Sequence, residues 1–414
     1  MTTPVSQGIG KHLFRLYRDE WAFMERHYQR HRRPPSPVLF KRKFPDFRLV
    51  RTDDVAALVD DVRHEHATGA LAIMASDLVD SLDRGDDPLE LMERITRDVT
   101  MIYQDATGEG DDEVVTNWQG IYDNVSARVE RALKSGGLPG VPSGWPTLDK
   151  VTAGFQPGEL WVFAARPGQG KSFSLVQIAT QAIVSGYTTY YESLEQPRAE
   201  VSIRLHPFLG RRLRLKGVPA NSLLKRGMVD LEAYRVFLES LAGAIDPARL
   251  YMTDASRGKV TTARLAGQLE RHKPVDCVLV DYITLFKTTQ KFKHGEEWRA
   301  AATVSSDLKQ MAMQYNCPVI AAAQMNREFG MRGLPGPEAI ANSDAIGQDA
   351  DGVVTLRQVT PELTQFRLSK YRHGEGDVYW WCHFDPDKGI FDEVDEDRAS
   401  SLKDQYDAGK GVTL

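Results

Sequence analysis

Cysteine is scarce in this chain, three residues in 414, and Cys277, Cys317 and Cys382 stand far apart with no C-x-x-C or Cys/His spacing. That excludes a disulfide framework and a zinc module and leaves three reduced thiols in apparent strands. Long apolar runs are missing too. None approaches the ~18 residues of a membrane span, and MTTPVSQGIGKHLFRLYRDE lacks the apolar core of a secretory signal. The expectation is a protein that neither spans a membrane nor is exported. Internal repeats and low-complexity tracts are absent. Strong charge of either sign is lacking as well, and a net charge of −5 argues against a protein that coats DNA at large.

What is present starts with length, since 414 residues exceed one ordinary domain and two are expected. Residues 1–50 hold eleven Lys or Arg against four acids, and residues 51–113 hold five against eighteen. Solvated faces of a helical domain account for this most simply; a basic surface meeting an acidic one on another subunit, or a nucleic-acid contact, are the alternatives. Apolar residues recur at helical spacing through Leu13, Leu16, Trp21, Phe23 and Met24, then Val55, Leu58 and Val62, then Leu89, Met92, Ile95 and Val99. Pro- and Gly-bearing loops at 33–37 and 84–88 interrupt them. The pattern predicts a small all-α assembly or partner module over 1–107. A linker over 108–139 follows, opening on GEGDDE and carrying a helix with the stripe Trp118, Tyr122, Val125, Val129, Ala132 and Leu133. Such a stripe must be buried, and burial on its own chain is the default.

From 140 the pattern becomes α/β. Strand-like runs fall at 160–164, 188–192, 250–253, 277–281, 319–323, 352–356, 366–369 and 378–384, with helical stretches such as 263–272 and 298–315 between the earlier ones. This predicts a mainly parallel sheet with crossover helices over 140–395. The last two runs are too close for a crossover and should form an antiparallel hairpin at one edge. A polar tail, 396–414, completes the chain.

At 161–172, WVFAARPGQGKS, an apolar strand breaks into a Gly-rich turn that ends in Gly-Lys-Ser. Ala165, Arg166, Pro167, Gly168, Gln169 and Gly170 would turn backbone N–H groups inward, and a helix starting near Lys171 would offer its positive end to phosphate. Lys171 is placed to reach the β- and γ-phosphates of a nucleotide, and the Ser172 hydroxyl to ligate Mg²⁺. Ala165 stands where the strict pattern has Gly, a mild departure; a chance Gly-Lys-Ser between strand and helix is the plain alternative. Asp281 ends an apolar strand, as a Mg²⁺-holding acid would, or as an ordinary turn cap. Glu195 follows a strand at the sheet edge where ligands sit, and would polarise an attacking water or merely favour the next helix's dipole. Glu192 is the weaker choice, because strand alternation points it away. Gln324 ends another strand and would sense a γ-phosphate. Lys370 and Arg372 leave one strand on the same face, suited to a transferring phosphate or to a solvated edge.

Together these pieces resemble the DnaB-type replicative helicases, in particular phage-encoded members with a compact N-terminal domain. The matching segments are GFQPGELWVFAARPGQGKS at 154–172, SLE at 193–195, VLVDYITL at 278–285, AQMNR at 323–327, IGQDADGVV at 346–354 and KYRHG at 370–374. The likeness covers roughly 140–390, and the N-terminal third matches only in size, helicity and place. The resemblance implies a RecA-like P-loop ATPase core, a homo-oligomeric and hexameric ring, and an N-terminal collar. It implies that the linker helix docks on the adjacent subunit, which reverses the default of burial on its own chain. ATP with Mg²⁺ would lie between subunits, with Lys171, Ser172, Asp281, Glu195 and Gln324 from one copy and Lys370 and Arg372 from the next as a basic finger. Single-stranded DNA would thread the channel at a fork, in the cytoplasm of a bacterium or of a phage-infected host.

In the family a loop ahead of IGQDAD touches DNA. Here it holds Asn342, Ser343 and Asp344 without the Arg-Glu-Ser-Gly run common in bacterial members, so side-chain contacts do not carry over and backbone N–H contacts could survive. Lys291, Lys293, Arg327 and Arg332 are alternative channel residues, or solvated loop charges. The N-terminal third has neither the length nor the cysteines for a fused primase, so priming is expected from a separate protein. Such a primase and a helicase loader are candidate partners, with binding to the N-terminal bundle left open. A filament-forming RecA-like recombinase or DNA-dependent ATPase, and a ring-shaped adaptor, remain as other readings.

Overall fold

The computed structural model describes residues 13–14, 17–31, 33–48, 55–107, 118–134, 137–245, 249–288, 297–326, 334–340 and 344–410. The chain divides into two compact units, Met1–Val125 and Ser126–Leu414.

The first unit contains helices α1 (Arg18–His31), α2 (Pro37–Lys43), α3 (Val55–Asp83) and α4 (Pro88–Thr107). The loops that the sequence marks are where helices stop and start. Ser36 caps α2 by accepting the Leu39 N–H at 3.2 Å, with Pro37 in the first turn, where its missing N–H removes no helical bond. Between α3 and α4, which pack together, Gly85 takes a φ of 78° that a side chain would strain. His66 Nε2 meets Asp105 Oδ2 across that pair at 3.2 Å. Among the described residues one buried cluster is built on Leu13, Trp21 and Val59, and Phe40 and Leu91 are buried as well. Leu71, Ile73, Val79 and Leu82 of α3, and Leu89, Met92 and Met101 of α4, remain exposed.

Helix α5 (Trp118–Lys134) crosses the boundary between the units. Tyr122, Val125, Val129 and Leu133 of its stripe are 62, 54, 53 and 78% exposed among the described residues.

The second unit runs α6 (Pro146–Thr152), β1 (Leu160–Ala165), α7 (Lys171–Val184), β2 (Thr189–Ser193), α8 (Arg198–Arg212), α9 (Asn221–Arg226), α10 (Leu231–Ala244) and β3 (Leu250–Asp254). It continues through α11 (Thr262–Arg271), β4 (Cys277–Asp281), α12 (Glu297–Gln314), β5 (Val319–Gln324), α13 (Asp344–Asp349), β6 (Gly352–Thr360), β7 (Leu363–Tyr371), β8 (Val378–Asp385), β9 (Ile390–Val394) and α14 (Glu396–Lys410). One sheet has the order β3, β2, β4, β5, β1, β6, β7, β8, β9. The strands from β3 to β6 in that order pair in parallel, and β6 to β9 pair antiparallel.

Helices cover both faces of the parallel half, which is why β1, β4 and β5 read as unbroken apolar runs. Strand alternation sorts β1 between two cores. Trp161, Phe163 and Ala165 join residues of α7 and α8, while Leu160, Val162 and Ala164 join residues of α11 and α12. Trp145, fully buried, donates Nε1–H to the Phe391 carbonyl at 2.9 Å and sits 5.0 Å from the Phe366 ring, tying the antiparallel strands to the start of the domain.

The expected hairpin is present as β7 against β8, but it is not the edge. β9 lies outside it, and of its five residues, IFDEV, only Phe391 is buried, too weak an alternation to read from the sequence. The stretch expected as a polar tail forms α14, whose Ala399 and Leu402 pack on Leu363. Among the described residues no helix is long and apolar enough to cross a membrane.

Candidate nucleotide site

β1 lies at the centre of the sheet, and its C-terminal end opens where parallel strands leave room for a ligand. There residues 166–170 turn into α7. Gly168 and Gly170 take φ values of 76° and 95°, which only glycine adopts without strain. Gly170 is the N-cap of α7; no side chain caps it, and the first turn carries no acid. The positive end of a 14-residue helix is therefore left to an anion. Lys171 folds back over this turn, with Nζ 3.4 Å from the Ala165 carbonyl and 5.7 Å from the centre of the Tyr282 ring. Burial pushes its ammonium below the ordinary value, and the carboxylates of Asp281 and Glu195 oppose that.

Asp281 ends β4 and is 1% exposed. The Tyr191 hydroxyl donates to its Oδ2 at 3.2 Å, while Oδ1 is buried without a hydrogen-bond partner among the described residues. Burial drives the carboxyl up and the charge of Glu195 adds to this; the nearby hydroxyls of Ser172 and Tyr191 and the cation of Arg204 pull it down. Glu195 is held there by backbone, since the Asp281 carbonyl accepts the N–H groups of Leu194 at 2.7 Å and Glu195 at 3.2 Å. An orphaned carboxylate oxygen beside a serine hydroxyl and a helix N-terminus suits Mg²⁺, which takes one or two protein oxygens and keeps water and phosphate for the rest. Among the described residues no cluster of three or more His, Cys, Asp or Glu forms an all-protein metal cage. Glu192 faces away, fully buried, and accepts the hydroxyl of Thr253 on β3.

Gln324, at the end of β5, stands level with Ala165 on β1. It lines a cavity of about 570 Å³ together with Arg166, Pro167, Gln169, Arg357 and Gln358. Gln169 anchors the phosphate-loop turn to β6, its side-chain carbonyl accepting the Gln358 N–H at 2.7 Å.

Lys370 and Arg372 stand elsewhere. Tyr371 pairs with Gly352, and Gly352 with Trp161, so the two cations sit at the N-terminal end of β1. Lys370 Nζ donates to the carbonyls of Gly347, Gln348 and Ala350 at 2.8, 2.9 and 2.7 Å, capping α13. Burial and the neighbouring Arg372 lower its ammonium. Arg372 pairs through Nη1 with Asp351 Oδ1 at 3.1 Å and through Nη2 with the Gln348 carbonyl at 3.2 Å.

Of the candidate DNA residues, Lys291, Lys293, Arg327, Arg332, Asn342 and Ser343 lie outside the described residues, and Asp344 opens α13. Two site neighbours, and one partner of Arg372, escaped the sequence reading. Tyr191 and Arg204 gave no signal, being one residue of a strand and one of a helix; Arg204 stacks 5.1 Å from the Phe173 ring and its Nε has no hydrogen-bond partner among the described residues. Asp351 lay inside the IGQDADGVV segment but carried no chemistry of its own there.

A glycine turn opening onto an uncapped helix, a strand-end carboxylate opposite its serine, and a sheet covered on both faces define a P-loop nucleotide-binding protein of the RecA-like class. Residues 140–384 match the family described as "DnaB-like helicase C terminal domain". The chain belongs to that family. It is 30% identical over 257 residues to a replicative DNA helicase DnaB of Treponema pallidum, covering 61% of this chain and 56% of that protein. A Leifsonia xyli counterpart is 29% identical over 249 residues, 59% of this chain and 51% of that protein. The chain thus spans between half and three fifths of the length of these relatives. Two solved structures share the fold. One, an isolated ATPase domain, gives a TM-score of 0.58 at 21% identity, covering 69% of this chain and 100% of that one. A DnaB-like replicative helicase solved with respect to its interactions with primase gives 0.60 at 17% identity, covering 93% and 94%.

Proposed function

We propose that the chain is the motor subunit of a ring-forming replicative helicase, which hydrolyses ATP at subunit interfaces to move along single-stranded DNA and unwind a fork. One observation carries this reading. Lys171, Ser172, Asp281, Glu195 and Gln324 gather at the C-terminal ends of adjacent strands, whereas Lys370 and Arg372 stand at the other end of the sheet. The four steps of β1 from Trp161 to Ala165 alone separate them by ~13 Å at the rise of a strand. A phosphate on the loop therefore takes its basic finger from another copy, and the site is complete only in an assembly.

In that site the N–H groups of 168–171 and Lys171 bind the phosphates, and Glu195 orients a water for in-line attack. Gln324 reports the γ-phosphate to the strand it ends. Mg²⁺, held through Ser172 and Asp281, would neutralise the charge that develops between the β- and γ-phosphates. Glu195→Gln is expected to leave nucleotide binding within about twofold and to lower kcat by ~10²–10⁴; unchanged turnover in a coupled ATPase assay would favour the adaptor reading instead.

The exposed stripe of α5 is a natural occupant, from a neighbouring copy, for the apolar groove between α7, α8 and α10. That groove encloses about 290 Å³ and is lined by Ile183, Leu205, His206, Leu238 and Leu241. Burial pushes His206 down to about 4, so it lines the groove as a neutral ring. Val129→Asp would bury an unpaired carboxylate there. The expected result is loss of the ring to smaller species in light scattering with the melting temperature kept; an intact ring would contradict this docking. The collar role of residues 1–107, the linker at 108–139, the motor domain from 140 and recruitment of a separate primase and loader belong to the same proposal.

A further inference from the structure

Asp351 carries more connections than its place between α13 and β6 requires. It is 1% exposed. Its Oδ2 accepts the Leu160 N–H at 2.8 Å and the Lys309 ammonium at 2.7 Å, and its Oδ1 takes Arg372 Nη1 at 3.1 Å. Its main chain pairs with the same elements, the N–H donating to the Leu160 carbonyl at 2.8 Å and the carbonyl accepting the Arg372 N–H at 2.7 Å. One buried carboxylate thus grips the start of β1, helix α12 and Arg372. Lys309 is fixed in turn by the Gly158 carbonyl at 2.7 Å.

The two cations of the expected finger are not equivalent in this setting. All three ammonium protons of Lys370 are taken by carbonyls at the end of α13, so Lys370 must release bonds to meet a phosphate. Arg372 is 46% exposed at its side chain, and its fork of five N–H donors can hold Asp351 on one edge while presenting another outward. A guanidinium on a long stem loses several rotors when it is ordered, and an ion pair to a buried carboxylate fixed by a second cation removes that freedom in advance.

We propose that Asp351 is the positioning residue for Arg372, setting the direction in which the guanidinium projects toward the nucleotide of the neighbouring copy. The proposal rests on the trans reading of Arg372 above. It also gives the finger a fixed relation to the strand that carries the same subunit's own phosphate loop, because Leu160 opens β1 and Ala165 ends it.

The test is a double-mutant cycle in the full-length assembly, reading kcat and KM for ATP, the dissociation constant of a fluorescent ATP analogue, and melting temperature. Asp351→Asn keeps shape and one acceptor oxygen but loses the charge. The expected result is a kcat lower by about tenfold or more, with analogue affinity within about twofold, and no more than about a further twofold loss when it is added to Arg372→Ala. Losses that multiply in the double variant, or a kcat within twofold of the parent for Asp351→Asn, overturn the proposal. Should Asp351→Asn fail to fold, Arg372→Lys decides. It keeps the charge but not the fork, so a kcat near that of Arg372→Ala supports positioning and a kcat near the parent overturns it. If Arg372→Ala itself leaves kcat intact, the trans reading fails; if it abolishes turnover and the cycle is additive, only the role of Asp351 fails.

Discussion

Lys171→Ala is expected to abolish ATP turnover, by about 10³-fold or more, and with it strand displacement from a forked duplex. Its ammonium is folded over the phosphate-loop turn, near enough to Asp281 and Glu195 that each holds its proton on against burial. Removing it takes away the one cation of the subunit's own phosphate loop that faces both carboxylates. The fold should survive, because Lys171 makes one long hydrogen bond to the Ala165 carbonyl and α7 is held by its buried apolar residues. The measurements are coupled ATPase, gel-based displacement and a melting curve. Turnover above a tenth of the parent's, in protein with normal melting, would remove this loop from the mechanism.

How much of this was legible in the sequence depends on how local each cause is. The glycine turn between β1 and α7 was readable, since it needs Gly168 and Gly170 for backbone reasons that neighbours cannot override. Asp281 and Gln324 were readable as strand ends and Glu195 as following one, because a parallel sheet opens all such positions on one edge. What brings Glu195 to Asp281, however, is a pair of backbone hydrogen bonds between segments some 86 positions apart in number, from 195 to 281, and no pattern announces them. The stripe of α5 was legible as apolar, but the residues alone favoured burial on its own chain, and its exposure is a matter of tertiary context. Asp351 shows the limit most plainly. Its spacing is that of any acid before a strand, and its importance comes from Leu160, Lys309 and Arg372, which the sheet order and α12 bring around it.

Arg372→Ala is expected to lower kcat about as far as Lys171→Ala, ~10³-fold or more, the scale of a basic finger at a transferring phosphoryl group. A loss of that size does not say which copy the residue serves, but mixing the two inactive variants does. If Lys171 and Arg372 acted in one site within one chain, every site in a mixed ring would lack one of them and turnover would stay at the level of the parents of the mixture. If they meet across an interface, a copy bearing Arg372→Ala still has an intact phosphate loop, and a copy bearing Lys171→Ala still has an intact finger. An interface with the first providing the loop and the second the finger is whole. In an equal, random mixture such interfaces are about a quarter of the total, and so about a quarter of the unsubstituted protein's ATPase should return if sites fire independently. A return well below that, with assembly intact by light scattering, means that a ring needs several consecutive whole sites to turn over. No return at all, with subunit exchange verified by labelled copies, contradicts a shared site.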